Sequence, residues 1–306
     1  MKDFLIKCFL FLVLFFVIEK PLIFLRNRLP ERELDKRLEY ILNGKINADI
    51  VVMGSSRGAR DIVASQLADS LHSTAYNLSY PGSNISFHEY LLTELLKYGN
   101  KKPRLLVLAV DDPAELQINT TIKFRLDRMY PLVKYPQIRE ALIKEGEKNK
   151  LLSELFIVHQ LSISNFDLRK KHFKDQDTLL SDGSMPISWH NKKFNMQFAN
   201  WYVTYDKKYE DENRIASFNN FIKICQDNNI TLLFACAPNF GNPSIGFQNR
   251  IAELAGGSNN IMLYDTTNTI YRNADYYFDG AHLKLNGATI FTTEITNFIK
   301  AKKLLQ

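Results

Sequence analysis

Two short stretches near opposite ends of the chain hold residue types that can do nucleophilic chemistry. Gly54-Ser55-Ser56 directly follows the apolar run Ile50-Val51-Val52-Met53, and Asp279-Gly280-Ala281-His282 lies close to the C-terminus. A serine hydroxyl is a poor nucleophile without a base, so it needs a histidine within hydrogen-bond reach. The histidine in turn needs a carboxylate to hold its tautomer and to stabilise the imidazolium. Asp279 and His282 can supply both from one loop, and the chemistry such a relay performs is ester cleavage or acyl transfer. Each stretch also has a plainer reading, since Ser after a strand is a common helix N-cap and either Asp279 or His282 can cap the last helix. The order of elements around them decides how much weight the pair carries.

That order is a regular alternation. Residues 49–53 form a short β-rich run, and 56–71 have helical spacing through Ile62, Leu67 and Leu71. A second strand is expected over 74–78, a helix over 86–98, and a strand over 104–110, whose unbroken apolar run suits burial on both faces of a parallel sheet. Residues 211–227 read as helix, 230–237 and 261–264 as strands, and 287–303 as a final amphipathic helix. The expected fold is α/β, a flavodoxin-like three-layer sandwich around a five-stranded parallel sheet. In such sheets ligands bind outside the carboxyl ends of the strands, where Gly54-Ser55-Ser56 falls. The helix N-terminus there offers free N–H groups to a developing negative charge.

The stretch 125–200 breaks the rhythm. It is rich in charge and aromatics, with a helix expected over 137–148, and reads as an insertion or lid-like region. The N-terminus stands apart: residues 4–25 are almost wholly apolar, long enough to cross a bilayer if Lys7 and Lys20 snorkel, and no small-residue cleavage site follows. The division expected is a transmembrane signal anchor over 1–25, a helical linker over 26–47, with a charged helix at 31–43, and a folded domain over 48–306. Six Lys and Arg residues from Lys20 to Arg37 follow the segment against Lys2 and Lys7 within its first residues, which by the positive-inside rule puts the folded part in the cytoplasm.

Composition bounds the function classes. The 306 residues are 45% hydrophobic, with a net charge of +6 and a pI of about 9.0. The basic residues are scattered without a long run, which suits an anionic surface as neighbour and gives no sign of nucleic acid. Cys8, Cys225 and Cys236 have no metal-site spacing, and neither do the histidines. His88, close to the Gly82 stretch, reads as a helix-surface residue or as one lining the site, and Trp189, Trp201 and Tyr202 as packing or a platform for sugar.

Taken together, the motifs resemble the SGNH (GDSL-type) hydrolase superfamily in four blocks running from Gly54 to His282. Gly54-Ser55-Ser56 is similar to that family's Gly-Asp-Ser block with Ser55 in the Asp slot, which makes Ser56 the nucleophile. Asn77-Leu78-Ser79-Tyr80-Pro81-Gly82 is similar to the Asn…Gly block, which gives the Gly82 N–H a place in the oxyanion hole beside that of Ser56. Ala109-Val110-Asp111-Asp112 stands where the family has Gly-x-Asn-Asp, and Asp279-x-x-His282 matches the last block. The third block departs from the pattern: Asp111 occupies the slot of an Asn that donates to the oxyanion. An ionised carboxylate there repels the oxyanion unless Asp111 pairs with Arg57 and faces away. Asn84 and Asn239 are further candidate donors, and turn chemistry is the plainer role for both.

With the apolar anchor and a strand ending in Ala-Pro, the chain looks like the membrane-anchored, envelope-modifying branch that includes DltD-like proteins and the alginate O-acetyltransferases. The resemblance implies an SGNH-type serine esterase or O-acyltransferase acting on cell-envelope carbohydrate, with His282 as general base and Asp279 orienting it. It implies no cofactor or metal, a membrane-bound O-acyltransferase as partner, and a folded domain outside the cytoplasm, against the charge count. The alternative is a non-catalytic SGNH-like scaffold or acyl-handling partner, which Asp111 motivates. A phosphate-binding α/β domain using the Ser56 helix would need a glycine-rich loop that the chain lacks.

Overall fold

The computed structural model describes residues 1–306 except 112, 168, 170–171, 174–177, 189–195, 201–203, 258–259 and 306. In chain order its elements are α1 (Lys2–Glu19), α2 (Leu22–Arg28), α3 (Arg37–Leu42), β1 (Ile50–Gly54), α4 (Ser56–Asp61), α5 (Ala64–Leu71), β2 (Ala75–Asn77), α6 (Ile85–Tyr98), β3 (Leu105–Val110), α7 (Leu126–Met129), α8 (Pro136–Glu145), α9 (Lys150–Leu155), α10 (Ile157–Gln160), α11 (Glu212–Asp227), β4 (Thr231–Cys236), α12 (Ile245–Leu254), β5 (Ile261–Leu263) and α13 (Leu285–Lys302).

The larger unit, 40–124 with 173–306, is built on a five-stranded sheet in the order β2-β1-β3-β4-β5. All its pairings are parallel. This is the flavodoxin-like strand order, and the α/β class with a five-stranded parallel sheet is as the alternation predicts. Alternate residues face opposite layers, as a period of two requires. Ile50, Val52, Leu105, Val107, Leu233 and Ala235 join one core cluster with Leu67 of α5 and Phe291, Ile295 and Ile299 of α13. On the other face α6 packs beside α11, and Phe218 stacks on Phe234 of β4. Central strands buried on both faces explain the continuous apolar runs, since Leu105–Val110 is buried throughout.

Two expected helices are shorter than their spacing implies. The stretch 56–71 divides into α4 and α5 because Ile62 and Val63 are extended. The N–H groups this releases find tertiary acceptors, Val63 on Thr292 Oγ1 at 3.1 Å and Ala64 on Ser184 Oγ at 2.9 Å. The stretch 31–43 keeps only α3, because Asp35 folds back on Arg37 with side-chain hydrogen bonds of 2.9 and 2.6 Å. Helix α12, between β4 and β5, has its own start signal in Ser244, which caps Phe247 N–H.

The second unit joins 1–39 with 125–172. Residues 125–172 of the insertion pack with the N-terminal helices. Phe15 and Phe16 of α1 pack on Phe156, and Arg26 of α2 bonds to Gln160 of α10 at 3.0 Å. Helix α1 is exposed along nearly all its length, and the helical segment Lys2–Arg32 is long and apolar enough to serve as a membrane anchor or a signal sequence.

Candidate active site

The parallel register puts Gly54 opposite Ala109 and Val110 opposite Cys236, with Asn77 one residue past Val51's partner. The stretches that follow β1, β2, β3 and β4 therefore all leave one sheet edge, the carboxyl edge. Gly54 is held there by its neighbour: a Cβ on it would sit 2.7 Å from Ala109 O, and its φ is +151°. The next residue, Ser55, caps α4 and is fully buried, while Ser56 opens the helix half-buried.

His282 reaches this edge from the loop before α13. Its Nε2 lies 2.8 Å from Ser56 Oγ. Its Nδ1 lies 2.8 and 3.0 Å from the two oxygens of Asp279. Asp279 Oδ1 also accepts the backbone N–H groups of Ala281 and His282, at 2.9 and 3.0 Å. These contacts hold the Asp279 carboxyl down to a pKa of about 2 although burial opposes it. An ionised Asp279 is acceptor-only, so Nδ1 carries the proton and Nε2 presents its lone pair to the Ser56 hydroxyl. The loop itself is fixed at three points: Phe240 N–H donates to Gly280 O, Phe278 N–H to His282 O, and Leu283 N–H to Asp61 Oδ1. Asp61, at the end of α4, is fully buried, and burial pushes its carboxyl up to about 7. Sequence reading missed it, because one Asp in a helical stretch carries no signal of what packs over it.

Gly82 has φ +77°, in the left-handed region that favours glycine. Its carbonyl accepts Lys123 N–H at 3.0 Å, and among the described residues its own N–H donates to none. The N–H of Ser56, in the first turn of α4, has no intrahelical acceptor. Asn84 is occupied as the α6 cap: its Oδ1 accepts Phe87 N–H and its backbone N–H goes to Lys123 O. Asn239 turns Oδ1 to Arg57 Nη1 at 2.6 Å.

Asp111 is buried, and the nearby Ser55 side chain favours its ionised form. Its N–H donates to Glu115 Oε2 at 3.0 Å. Its Oδ2 is shut off from solvent and, among the described residues, has no hydrogen-bond partner. Arg57 acts on it electrostatically, but the Arg57 hydrogen bonds go to Asn239 and to Ala237 O. The Asp111–Arg57 pairing raised as one way to turn the carboxylate aside is present only as an electrostatic influence. Burial raises the carboxyls of both Asp111 and Glu115, and Glu115 is raised further by its acidic neighbour.

The third member of this buried group is His88, which is not on a helix surface but fully buried. Its Nε2 meets Ser83 Oγ at 2.7 Å, and Ser83 Oγ also reaches Tyr80 O at 2.7 Å and Gly54 O at 3.3 Å. Burial lowers the His88 pKa to about 3, so the ring is neutral. With the Ser83 proton directed to a carbonyl, Nε2 carries the His88 proton and Nδ1 is bare, 3.7 Å from Glu115 Oε1. A bare nitrogen facing a carboxyl is consistent with Glu115 retaining its proton. Sequence reading missed the cluster because helical spacing alone did not show that His88 turns inward. Trp189, Trp201 and Tyr202 lie outside the described residues.

No protein-family model matches this chain, and no curated protein does. Among solved structures it is similar to one from Streptococcus pneumonia that carries the provisional name platelet activating factor. The two are 9% identical over 92% of this chain and 96% of that one, with a TM-score of 0.43. At that similarity nothing about activity passes from one chain to the other.

Proposed function

We propose that this chain is an SGNH-type serine esterase or O-acyltransferase acting on acylated carbohydrate of the cell envelope. The observation that carries the reading is the continuous relay Asp279–His282–Ser56, with every link at 2.8 Å at the carboxyl edge of a parallel sheet. In this reading Ser56 Oγ attacks an acyl carbonyl as its proton passes to His282 Nε2, and Asp279 stabilises the imidazolium. The N–H groups of Ser56 and Gly82 receive the oxyanion. Its collapse expels the alcohol, which takes the proton back from His282 and leaves the acyl group on Ser56. Water or a sugar hydroxyl then attacks, giving its proton to His282, and collapse releases Ser56, whose Oγ takes that proton back.

The chemistry needs no cofactor, metal or nucleic acid. In the transferase form a membrane-bound O-acyltransferase supplies the acyl group, and the folded part lies outside the cytoplasm, in the periplasm or at the cell surface. In its ionised form Asp111 supplies no side-chain donor, and one missing oxyanion donor is worth about a hundred- to a thousand-fold in rate. Slow turnover on simple esters is therefore expected.

The test is a fluorophosphonate probe on the purified full-length protein. The wild type is expected to take the label and Ser56→Ala to lose it, and a label that persists in Ser56→Ala would remove Ser56 from the role. The burial of Asp111 also favours a second reading, a non-catalytic scaffold. That reading wins if Ser56→Ala and His282→Ala both leave envelope acylation unchanged in cells.

A further inference from the structure

The N-terminal unit carries a second apolar surface besides α1. Across α9, α10 and the turn after them, Leu151, Leu152, Leu155, Val158, Ile163 and Phe166 are all exposed, from 40% at Leu152 to 91% at Ile163. The side that packs inward holds Ile157 and Leu161 together with the polar Ser153 and Gln160, all nearly inaccessible. Large apolar side chains therefore stand on the outer side as well as the inner one, whereas a water-facing helix turns its polar side out.

The segment is fastened to the end of α1. The Phe156 ring lies 5.7 and 6.2 Å from those of Phe15 and Phe16. Lys20 Nζ donates to Leu155 O at 3.2 Å, and the Glu19 carboxylate accepts Val158 N–H at 3.0 Å. An 18-residue helix rises about 27 Å, close to the hydrocarbon thickness of a bilayer. Phe15 is four residues from the end of α1, so Phe156 meets the helix within about 6 Å of where it leaves the hydrocarbon. That depth is the headgroup–acyl boundary, where exposed apolar side chains are sheltered.

We infer that residues 151–166 form an interfacial collar, lying in the boundary layer of the same bilayer that α1 crosses. The inference rests on α1 as a membrane span and is independent of the serine chemistry. The collar extends the lipid contact from one helix to a second element fastened to its end.

Full-length protein in phosphatidylethanolamine–phosphatidylglycerol vesicles tests this. In a Cys8→Ser background, where Cys225 and Cys236 are buried, NBD is attached to Leu155→Cys, Ile163→Cys or Phe9→Cys. The expected result is blue-shifted emission at 155 and 163 relative to NBD-cysteine in buffer, with stronger quenching by nitroxides near the headgroup than by deep ones. The order reverses at Phe9. Labels at 155 and 163 that emit as in water, while Phe9 is quenched, overturn the collar and leave the span intact. Labels that are blue-shifted but unquenched by lipid mean that a protein covers the face, which also overturns it. An unquenched Phe9 label overturns the span and the collar together.

Discussion

The three side chains of the relay differ in what holds them. Ser56 is placed by the strand-to-helix turn, Asp279 by two backbone N–H groups, and His282 by both of them. The spacing of Asp279 and His282 made their pairing readable, because a carboxylate that accepts N–H groups two and three residues ahead brings the third side chain back over itself. The roles offered for Asn84 and Asn239 were not decidable at this scale. A cap and a donor look alike in sequence, and the observed partners, Phe87 N–H and Arg57, engage only the amide oxygens, which leaves the Nδ2–H donors out of these contacts. In the proposed mechanism Asp279→Asn presents an amide N–H to Nδ1, shifts the proton to Nε2, and removes the base from Ser56. We expect kcat on an activated ester to fall about 10⁴-fold with little change in folding. A fall of less than about ten-fold would mean that Asp279 does not set the His282 tautomer.

At the scale of elements, the question is what holds the Gly82 loop against the end of β1. Ser83 does so, bridging Gly54 O, Tyr80 O and His88 with one hydroxyl. Ser83→Ala leaves the His88 ring nitrogen without its partner in a fully buried site. This is expected to cost about 1–3 kcal/mol of stability, read as a shift of the urea midpoint. If the loop positions an oxyanion donor, kcat falls as well while KM for a small ester stays near the wild-type value. Loss of stability with kcat unchanged would separate the loop from the chemistry. The strands and long helices were legible because their apolar periodicity is strong. The division of 56–71 into α4 and α5 was not, since Ile62 and Val63 fit a helical pattern until Thr292 and Ser184 compete for the released N–H groups.

Over the whole molecule, buried acids set the pH response. Glu115 has its pKa raised in the fold by burial and by Asp111. Above its ordinary value of 4.5 the unfolded chain releases this proton while the folded chain keeps it. Stability therefore falls as pH rises through the interval up to the folded value. Asp61, raised to about 7, adds to the same trend from its own ordinary value upward. Glu115→Gln is expected to flatten the stability–pH slope between about pH 5 and about pH 8, by at most about 1.4 kcal/mol per pH unit. Urea melts across that range check it, and an unchanged slope would show that Glu115 is ionised in the fold.

The sequence by itself determined the local grammar: buried strands, helix starts, an apolar N-terminal helix, and two motifs whose residue types suit one relay. These follow from periodicity and from hydrogen bonds between near neighbours, both of which are properties of short stretches. Tertiary structure alone decided that His282 reaches Ser56 across 226 positions, that Asp111 is buried, that His88 is internal, and that 125–172 packs with the N-terminal helices. Each of these depends on which groups from distant stretches exclude water from one another, and burial of that kind has no signature along the chain.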